Sequence, residues 1–375
     1  MKNNMEVKSN DSYSNNCKWQ KVLALFVSLF LLFGATVIGQ EKYEPPKLSS
    51  QDSWSIIMLP DLQTYVKFGR NQPILELMTA WISENIENLN IELVLCVGDL
   101  VEHNEMINPD GVSGNQPSKL QWESVSRAFE RVDCRVPYIT ALGNHDYGYK
   151  SIENRKSNFN KYFPVDKNFQ NMKILRDVEL NAEGIPTLEN ASFEITSPHG
   201  RKMLFISLEF APRDTIISWA KAIVDADRYK EHTIVILTHS YLNAKNEHIV
   251  KENYLIEDCN YGEAIFEKLV KPSHNVQMVL SGHIGSPDDD KAHIGFRTDS
   301  NASGQKVHQM VFNAQALGGG WMGNGGDGWL RILEFLPDNK TIQVKTFSPL
   351  FAISPTTQQF AWRKESDDEF SFELD

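Results

Sequence analysis

Short apolar runs alternate with amphipathic segments over most of the chain. The apolar runs are rich in β-branched residues and end in polar residues, which favours buried strands. Between them, apolar residues recur three and four positions apart, which indicates helices, and Pro73 and Pro117 stand near two helix starts. This alternation is typical of parallel strands with helical connections. The predicted strands are Ser55–Leu59, Leu93–Val97, Tyr138–Thr140, Thr233–Leu237 and Val276–Ser281, and the predicted helices are Ile74–Ile86, Leu120–Val132, Ile216–Val224 and Ala264–Val270.

Two further groups of apolar runs are separated by turns instead of helices, which predicts antiparallel strands. Ser-Pro-His-Gly at 197–200 and Pro-Asp-Asn at 337–339 are turn sequences. The sequence therefore predicts one layered α/β domain with mixed sheets and outer helices. The antiparallel groups are Ala191–Thr196 with Met203–Leu208, and Val307–Asn313 with Trp329–Phe335 and Thr341–Phe347.

A glycine-rich stretch, residues 318–328, stands out within the last third of the chain. No Lys-Ser/Thr follows it and no βαβ unit surrounds it, which excludes a P-loop. Two interpretations stay open: a structural loop, or a loop that borders an active site.

The N-terminal segment has the pattern of a secretory signal peptide. Lys18 and Lys21 precede the apolar run Val22–Ile38, which ends in small residues at Gly34, Ala35 and Gly39. An uncleaved membrane anchor is the alternative, because the run is close to the lower length limit for a span. We expect residues 1–40 to be a signal peptide or anchor, 41–53 a linker, 54–350 the domain and 351–375 an extension. The protein is then secreted or periplasmic, and it contacts a membrane only if the segment is not cleaved.

The charge balance disfavours polyanionic partners. The first 40 residues hold four of the chain's 37 basic and two of its 49 acidic side chains, so 33 basic and 47 acidic residues follow, a net charge of −14. Such a surface repels nucleic acid. Three cysteines remain after residue 40, and an odd number does not form a complete disulfide framework.

Polar residues of the metal-binding types follow five of the predicted strands. The carboxyl ends of strands are where open α/β sheets place ligands and reactive groups. One aspartate or histidine in such a place is commonly a cap or a packed residue. Five such places are hard to attribute to turns. The residues are Asp61 and Gln63 after the first strand, Asp99 after the second, Asn144, His145 and Asp146 after the third, His239 after the fourth and His283 after the fifth.

The ordered set Asp-x-Gln, Gly-Asp, Gly-Asn-His-Asp, His and Gly-His resembles the signature of the calcineurin-like metallophosphoesterase superfamily, in the subgroup with Asp-x-Gln. The resemblance spans about residues 54–350. It implies an α+β sandwich of two mixed β-sheets flanked by helices, with two divalent metal ions at the strand ends. It also implies ligand roles: Asp61 and Gln63 at the first metal, Asp99 between both, and Asn144, His239 and His283 at the second, with His145 facing the substrate.

These residue types suit hydrolysis of a phosphate ester by metal-activated water. Two divalent ions about 3.5–4 Å apart need a shared anionic ligand, and the carboxylate of Asp99 can bridge them. Neutral imidazole and amide ligands do not cancel the charge that activates water and stabilises the phosphoryl oxygens. His145, beside Asn144, can serve as acid or electrostatic clamp for the leaving oxygen.

Two positions depart from the commonest pattern of that superfamily. Gln63 stands where histidine is usual, and an amide oxygen shifts metal preference toward harder ions. Gly285 replaces the last histidine of Gly-His-x-His, so the first site is expected to be weak unless a neighbour substitutes. His293 and the acidic run Asp288, Asp289 and Asp290 are close enough in sequence to do so. The ions expected are Mn, Mg, Fe or Zn.

Three more residues are candidates for supporting roles. Asp146 is expected to accept a hydrogen bond from a metal-binding histidine. His103 is a candidate pocket residue and Arg297 a candidate phosphate clamp. The functional prediction is an exported phosphoesterase acting on a phosphate ester; the alternative is a metal-binding pseudoenzyme on the same fold. The sequence leaves the substrate and the oligomeric state open.

Overall fold

Two mixed sheets of seven strands each form the framework of residues 43–375, the part of the chain that this computed structural model describes. Residues 44–375 form one compact unit. The predicted fold class, two mixed sheets flanked by helices, is confirmed.

The first sheet has the strand order β13-β12-β11-β1-β2-β3, and β14 also pairs with β12. β1, β2 and β3 are parallel, whereas β11 pairs with β1 in the antiparallel sense. β1 is buried along its whole length, as expected for a strand covered on both faces. The strands are β1 Trp54–Leu59, β2 Ile91–Cys96, β3 Tyr138–Thr140, β11 Leu330–Phe335, β12 Thr341–Phe347, β13 Trp362–Arg363 and β14 Phe370–Glu373.

The second sheet has the order β4-β5-β6-β7-β8-β10-β9. Its centre, from β6 through β7 and β8 to β10, is parallel, and antiparallel strands complete both sides. The strands are β4 Leu175–Leu180, β5 Pro186–Thr196, β6 Lys202–Ser207, β7 Thr233–Leu237, β8 Val276–Ser281, β9 Ile294–Ser300 and β10 Lys306–Phe312.

Helices cover the sheets with their apolar faces. One core cluster joins the α6 residues Ile216, Ala220 and Ile223 to strands β6, β7, β8 and β10. On the first sheet, the α2 residue Trp81 packs against Phe347 of β12 at 5.1 Å between ring centroids. The helices are α1 Gln63–Lys67, α2 Gln72–Asn85, α3 Ser118–Phe129, α4 Phe159–Tyr162, α5 Phe169–Ile174, α6 Asp214–Val224, α7 Gly262–Ile265, continued by a π-helical turn Phe266–Val270, and α8 Pro349–Ala352.

The position of β10 differs from the sequence prediction. We predicted that this strand pairs with β11 in an antiparallel group, but β10 lies in the second sheet, parallel to β8. The loop 318–328 carries the chain from one sheet to the other, so adjacency in sequence did not become adjacency in the sheet. The antiparallel pairing of β11 with β12 is as predicted.

Four strands at or near the sheet edges were not predicted from the sequence. β4, β9, β13 and β14 are short or partly exposed, and their apolar pattern is weak. Two of them, β13 and β14, lie in residues 351–375, which therefore add strands to the first sheet. The predicted signal segment lies outside the described residues. Among the described helices, none has the length and apolar character needed to cross a membrane.

Candidate metal centre

The polar residues that follow the central strands of both sheets meet in one pocket of about 260 Å³. Parallel strands deliver their carboxyl ends to one edge, which is why residues far apart in sequence come together. His239, after β7, lies 3.2 Å from the carboxylate of Asp99, after β2. The backbone N–H of His283, after β8, donates to Asp61, after β1. Asn144 and His145, after β3, also line the pocket.

Asp99, His239 and His283 form a cluster suited to a metal ion. One ligand atom from each lies within 4.8 Å of the others. Asp99 and His239 are fully buried, whereas His283 is partly exposed to the pocket. These are three of the four residues that the sequence predicted for the second metal.

Hydrogen bonds orient both histidines for metal binding. Nδ1 of His239 donates to the carbonyl of Val97 at 2.7 Å, so Nε2 is the ring nitrogen left for a cation or a proton, and it lies 3.2 Å from Oδ2 of Asp99. Nε2 of His283 donates to the carboxylate of Glu252 at 2.6 Å, which leaves Nδ1 for an ion. Such outer hydrogen bonds fix the tautomer and raise the basicity of the ligand nitrogen.

Two buried amide oxygens in the pocket have no hydrogen-bond partner. Oδ1 of Asn144 is unpaired while its Nδ2 donates to Ser151, and Oε1 of Gln63 is unpaired while its Nε2 donates to Asp99. Unpaired buried acceptors are costly in a folded protein. A cation would satisfy both oxygens and the free Nε2 of His239, so the residues present fit divalent metal ions.

Asp61 has the environment of a carboxylate that needs positive charge nearby. It is fully buried, and burial raises its pKa well above the usual range, with Asp99 adding to the rise. Its oxygens accept hydrogen bonds from the side chains of Asn313 and Gln315. The sequence analysis missed these two residues. They follow β10, which is parallel to β8 and ends at the same edge, so correct pairing of β10 would have found them.

His145 lines the pocket, and one of its ring nitrogens is hydrogen-bonded to the backbone. Its Nδ1 donates to the carbonyl of Glu102 at 2.8 Å, and its backbone N–H donates to Asp99 at 2.9 Å. Burial lowers the pKa of His145, but the charges of Asp99 and Glu102 outweigh this and raise it. Nε2 can therefore present a proton to a group in the pocket.

Asp99 and His239 shift each other's pKa in opposite directions. Burial raises the pKa of Asp99, yet His239 and His145 lower it to below its usual range. Conversely, burial lowers the pKa of His239, but Asp99 and Asp61 raise it to about 10. Asp99 is thus held as a carboxylate, the form that can bridge two ions.

The backbone is strained at two of the candidate ligand residues. Asp99 has φ of 48° and His283 has φ of 79°, a left-handed conformation that non-glycine residues rarely adopt. Such strain costs about 1–3 kcal/mol per residue and clusters at functional sites. Both strained residues line the pocket, so the strain coincides with the candidate metal site.

Gly143 allows its loop to approach the cluster. A Cβ at this position would lie 2.1 Å from Oδ1 of Asp99 and 2.6 Å from Nε2 of His239. We therefore expect Gly143→Ala to displace these ligands and to weaken metal affinity about 10- to 100-fold, as measured by calorimetry with Mn²⁺. Gly69→Ala is the control, because its Cβ would meet only the end of the flexible Gln116 side chain. Equal metal affinity in both variants would contradict this account of Gly143.

The space beside Gly285 is occupied by other side chains. A Cβ there would lie 3.0 Å from the ring of His293 and 3.4 Å from Trp321. His293 is buried, its Nε2 donates to the carbonyl of Ser286, and its Nδ1 has no partner. The neighbouring Asp288, Asp289 and Asp290 are exposed on the surface. Trp321 lines the pocket, so the glycine-rich loop borders the site.

The predicted supporting residues take different places. Asp146 accepts from the backbone N–H groups of Gly143 and Val101 and from no histidine, so Glu252 has the role expected of Asp146. Arg297 does not line the pocket, because its guanidinium pairs with Asp299 on β9. His103 is buried behind the pocket wall, and burial, followed by His145, lowers its pKa to about 4.

A sandwich of two mixed sheets with a carboxylate, imidazole and amide cluster at the strand ends defines a metal-dependent hydrolase fold. The chain belongs to the calcineurin-like phosphoesterase family, whose model matches residues 56–287, more than half of its length. Members of this family depend on metals and act on phosphate esters, as the sequence predicted.

One relative and several solved structures are similar to this chain. The uncharacterized protein YvnB of Bacillus subtilis (strain 168) is 28% identical over 340 residues, which cover 90% of this chain but 23% of that protein. A dimetal phosphatase from Danio rerio matches at 9% identity and a TM-score of 0.48, covering 86% of this chain and 99% of that chain. GAP50, described as the anchor in the inner membrane complex of Plasmodium, matches at 13% identity and a TM-score of 0.43. The match covers 86% of this chain and 89% of that chain. Similarities at this level do not identify a substrate.

Proposed function

We propose that this protein is an exported phosphoesterase, acting on a phosphomonoester, with two divalent metal ions in the pocket. The observation that carries the proposal is the convergence of unpaired ligand atoms from Gln63, Asn144 and His239 around Asp99, with His145 beside them. A site that binds metal only for structure would not require a histidine held toward the open pocket.

In this proposal the residues divide into two groups. Asp61, Gln63 and Asp99 would hold the first ion, and Asp99, Asn144, His239 and His283 the second. When bound, two such ions supply an activated water and offset the charge of the phosphoryl oxygens. Glu252 and Val97 keep the histidines in the binding tautomer, and Asp146 holds the loop that carries Asn144.

His145 would act on the leaving oxygen. The carbonyl of Glu102 fixes its ring, so Nε2 can donate a proton or hydrogen bond to the ester oxygen as the bond to phosphorus breaks. Export rests on the Lys18–Ile38 pattern and is tested by the N-terminal sequence of the secreted protein.

Metal content and turnover together test the proposal. We expect the protein to bind two ions per chain in Mn²⁺ and to hydrolyse p-nitrophenyl phosphate, with both lost in a chelator and restored by Mn²⁺. We also expect the first ion to leave at a lower chelator concentration, because Gly285 removes one ligand. One tightly held ion with no turnover under any metal would instead support the metal-binding pseudoenzyme.

A further inference from the structure

A lysine forms part of the pocket wall one helical turn beyond Gln63. Gln63 and Lys67 are the first and last residues of α1, and positions i and i+4 of a helix share a face. The side chain of Lys67 is 5% exposed, and it lines the same pocket as Asp99 and His145. Its backbone carbonyl accepts from the N–H groups of Asn115 and Gln116, so the residue is firmly held.

The ammonium group of Lys67 has unused donor capacity. Nζ donates to Oε2 of Glu102 at 3.1 Å, and it has no other acceptor among the described residues. An ammonium carries three N–H donors, and leaving such donors unsatisfied in a buried place is costly. A purely structural ion pair would account for one donor only. The remaining donors are available to a group in the pocket.

Glu102 links this lysine to His145. Its carboxylate holds Lys67, while its backbone carbonyl holds Nδ1 of His145. Its own N–H donates to Gln121, which fixes Glu102 in turn. Lys67 and His145 are thus two functional groups positioned by one residue.

Lys67 also differs in charge from the rest of the pocket. Of the described residues that line it, Lys67 alone is a lysine or arginine, whereas Asp99 and Glu102 are acidic. A chain with a net charge of −12 offers no general attraction for anions, so a lysine enclosed here acts locally.

We propose that Lys67 binds a second anionic group of the substrate, a carboxylate or further phosphate carried by the leaving group. This inference rests on the proposed function, because it assumes that His145 faces the leaving oxygen. It narrows the substrate class to phosphate esters or diphosphates with an anionic leaving group. Glu102 holds the ammonium at the pocket wall.

Binding of unreactive phosphonates tests the proposal without turnover. Calorimetry on the full-length protein with Mn²⁺ compares ethylphosphonate with phosphonoacetate and methylenediphosphonate, which add a carboxylate and a second phosphonate. The variant is Lys67→Met with Glu102→Gln, which leaves no buried charge unpaired. The wild type should prefer one or both of the probes with a second anionic group over ethylphosphonate, and we expect this preference to fall about tenfold in the variant. Which probe responds identifies the second group as carboxylate or phosphate.

A matched control uses the pair of Lys345 and Glu334, which are 2.7 Å apart, largely buried and outside the pocket. Lys345→Met with Glu334→Gln should keep the wild-type preference, and melting temperatures report folding of both variants. An equal preference in the wild type and the Lys67 variant would overturn the proposal. If the wild type shows the Lys67-dependent preference but hydrolyses no phosphate ester, the phosphoesterase proposal is refuted and the Lys67 binding proposal stands.

Discussion

Asp99→Asn is expected to lower kcat/KM for a phosphomonoester by about 10³-fold, which corresponds to roughly 4 kcal/mol of transition-state stabilisation. The carboxylate lies within 4.8 Å of the candidate ligand nitrogens of His239 and His283, and it accepts from the N–H of His145. An asparagine of the same shape cannot bridge two cations as an anion. We therefore expect the loss of activity to be accompanied by loss of at least one ion per chain, measured by elemental analysis.

Asp288→Asn is the control for this substitution, because Asp288 is exposed on the loop that follows His283. It removes the same charge close to the site, and we expect full metal content and activity. Normal turnover in Asp99→Asn would exclude the bridging role. A similar loss in Asp288→Asn would mean that the acidic run, and not the buried cluster, supplies ligands.

His145→Gln is expected to reduce kcat about 10²- to 10⁴-fold while metal content stays near that of the wild type. The reason is that His145 presents Nε2 to the pocket and takes no part in the cluster of Asp99, His239 and His283. If His145 serves the leaving oxygen, its loss should matter more for an alkyl phosphate than for p-nitrophenyl phosphate, whose leaving group needs no proton. Steady-state kinetics with the two esters measures this difference.

His274→Gln provides the comparison for a histidine on the surface, and we expect it to leave both esters unaffected. An equal reduction for both esters in His145→Gln would argue against proton donation and favour a purely electrostatic contact. Loss of metal in His145→Gln would mean that the substitution disturbs the neighbouring Asn144 and Asp99, and the kinetic effect would then not belong to His145.

The central strands and the residues that follow them were visible in the sequence for a local reason. A strand buried on both faces must be mostly apolar, and β1, β7 and β8 are buried along their whole length with no more than two polar residues each. The polar residue after such a strand marks its end at the sheet edge. The positions of Asp61, Asp99 and His283 could therefore be read from the chain. The structure brings Asp99 and His283 into one pocket, and buried Asp61 accepts from the N–H of His283.

The sequence could not show which distant residues complete the pocket. Glu252 lies on a loop with no local pattern, and only the tertiary fold places it 2.6 Å from His283. Asn313 and Gln315 reach Asp61 because β10 pairs with β8, a choice made by long-range packing and not by the turn that follows β10. Asp146 looked like a partner for histidine, but the loop geometry turns it to backbone N–H groups.

The sequence by itself determined the fold class, the family and the residue types of the metal centre, because apolar periodicity and strand-end chemistry are local properties of the chain. The tertiary structure decided which strand joins which sheet, which carboxylate orients which histidine, and that Lys67 and Glu102 share the pocket with His145. Those features depend on contacts between residues tens to hundreds of positions apart. Their energies come from burial and pairing that no local stretch of sequence contains.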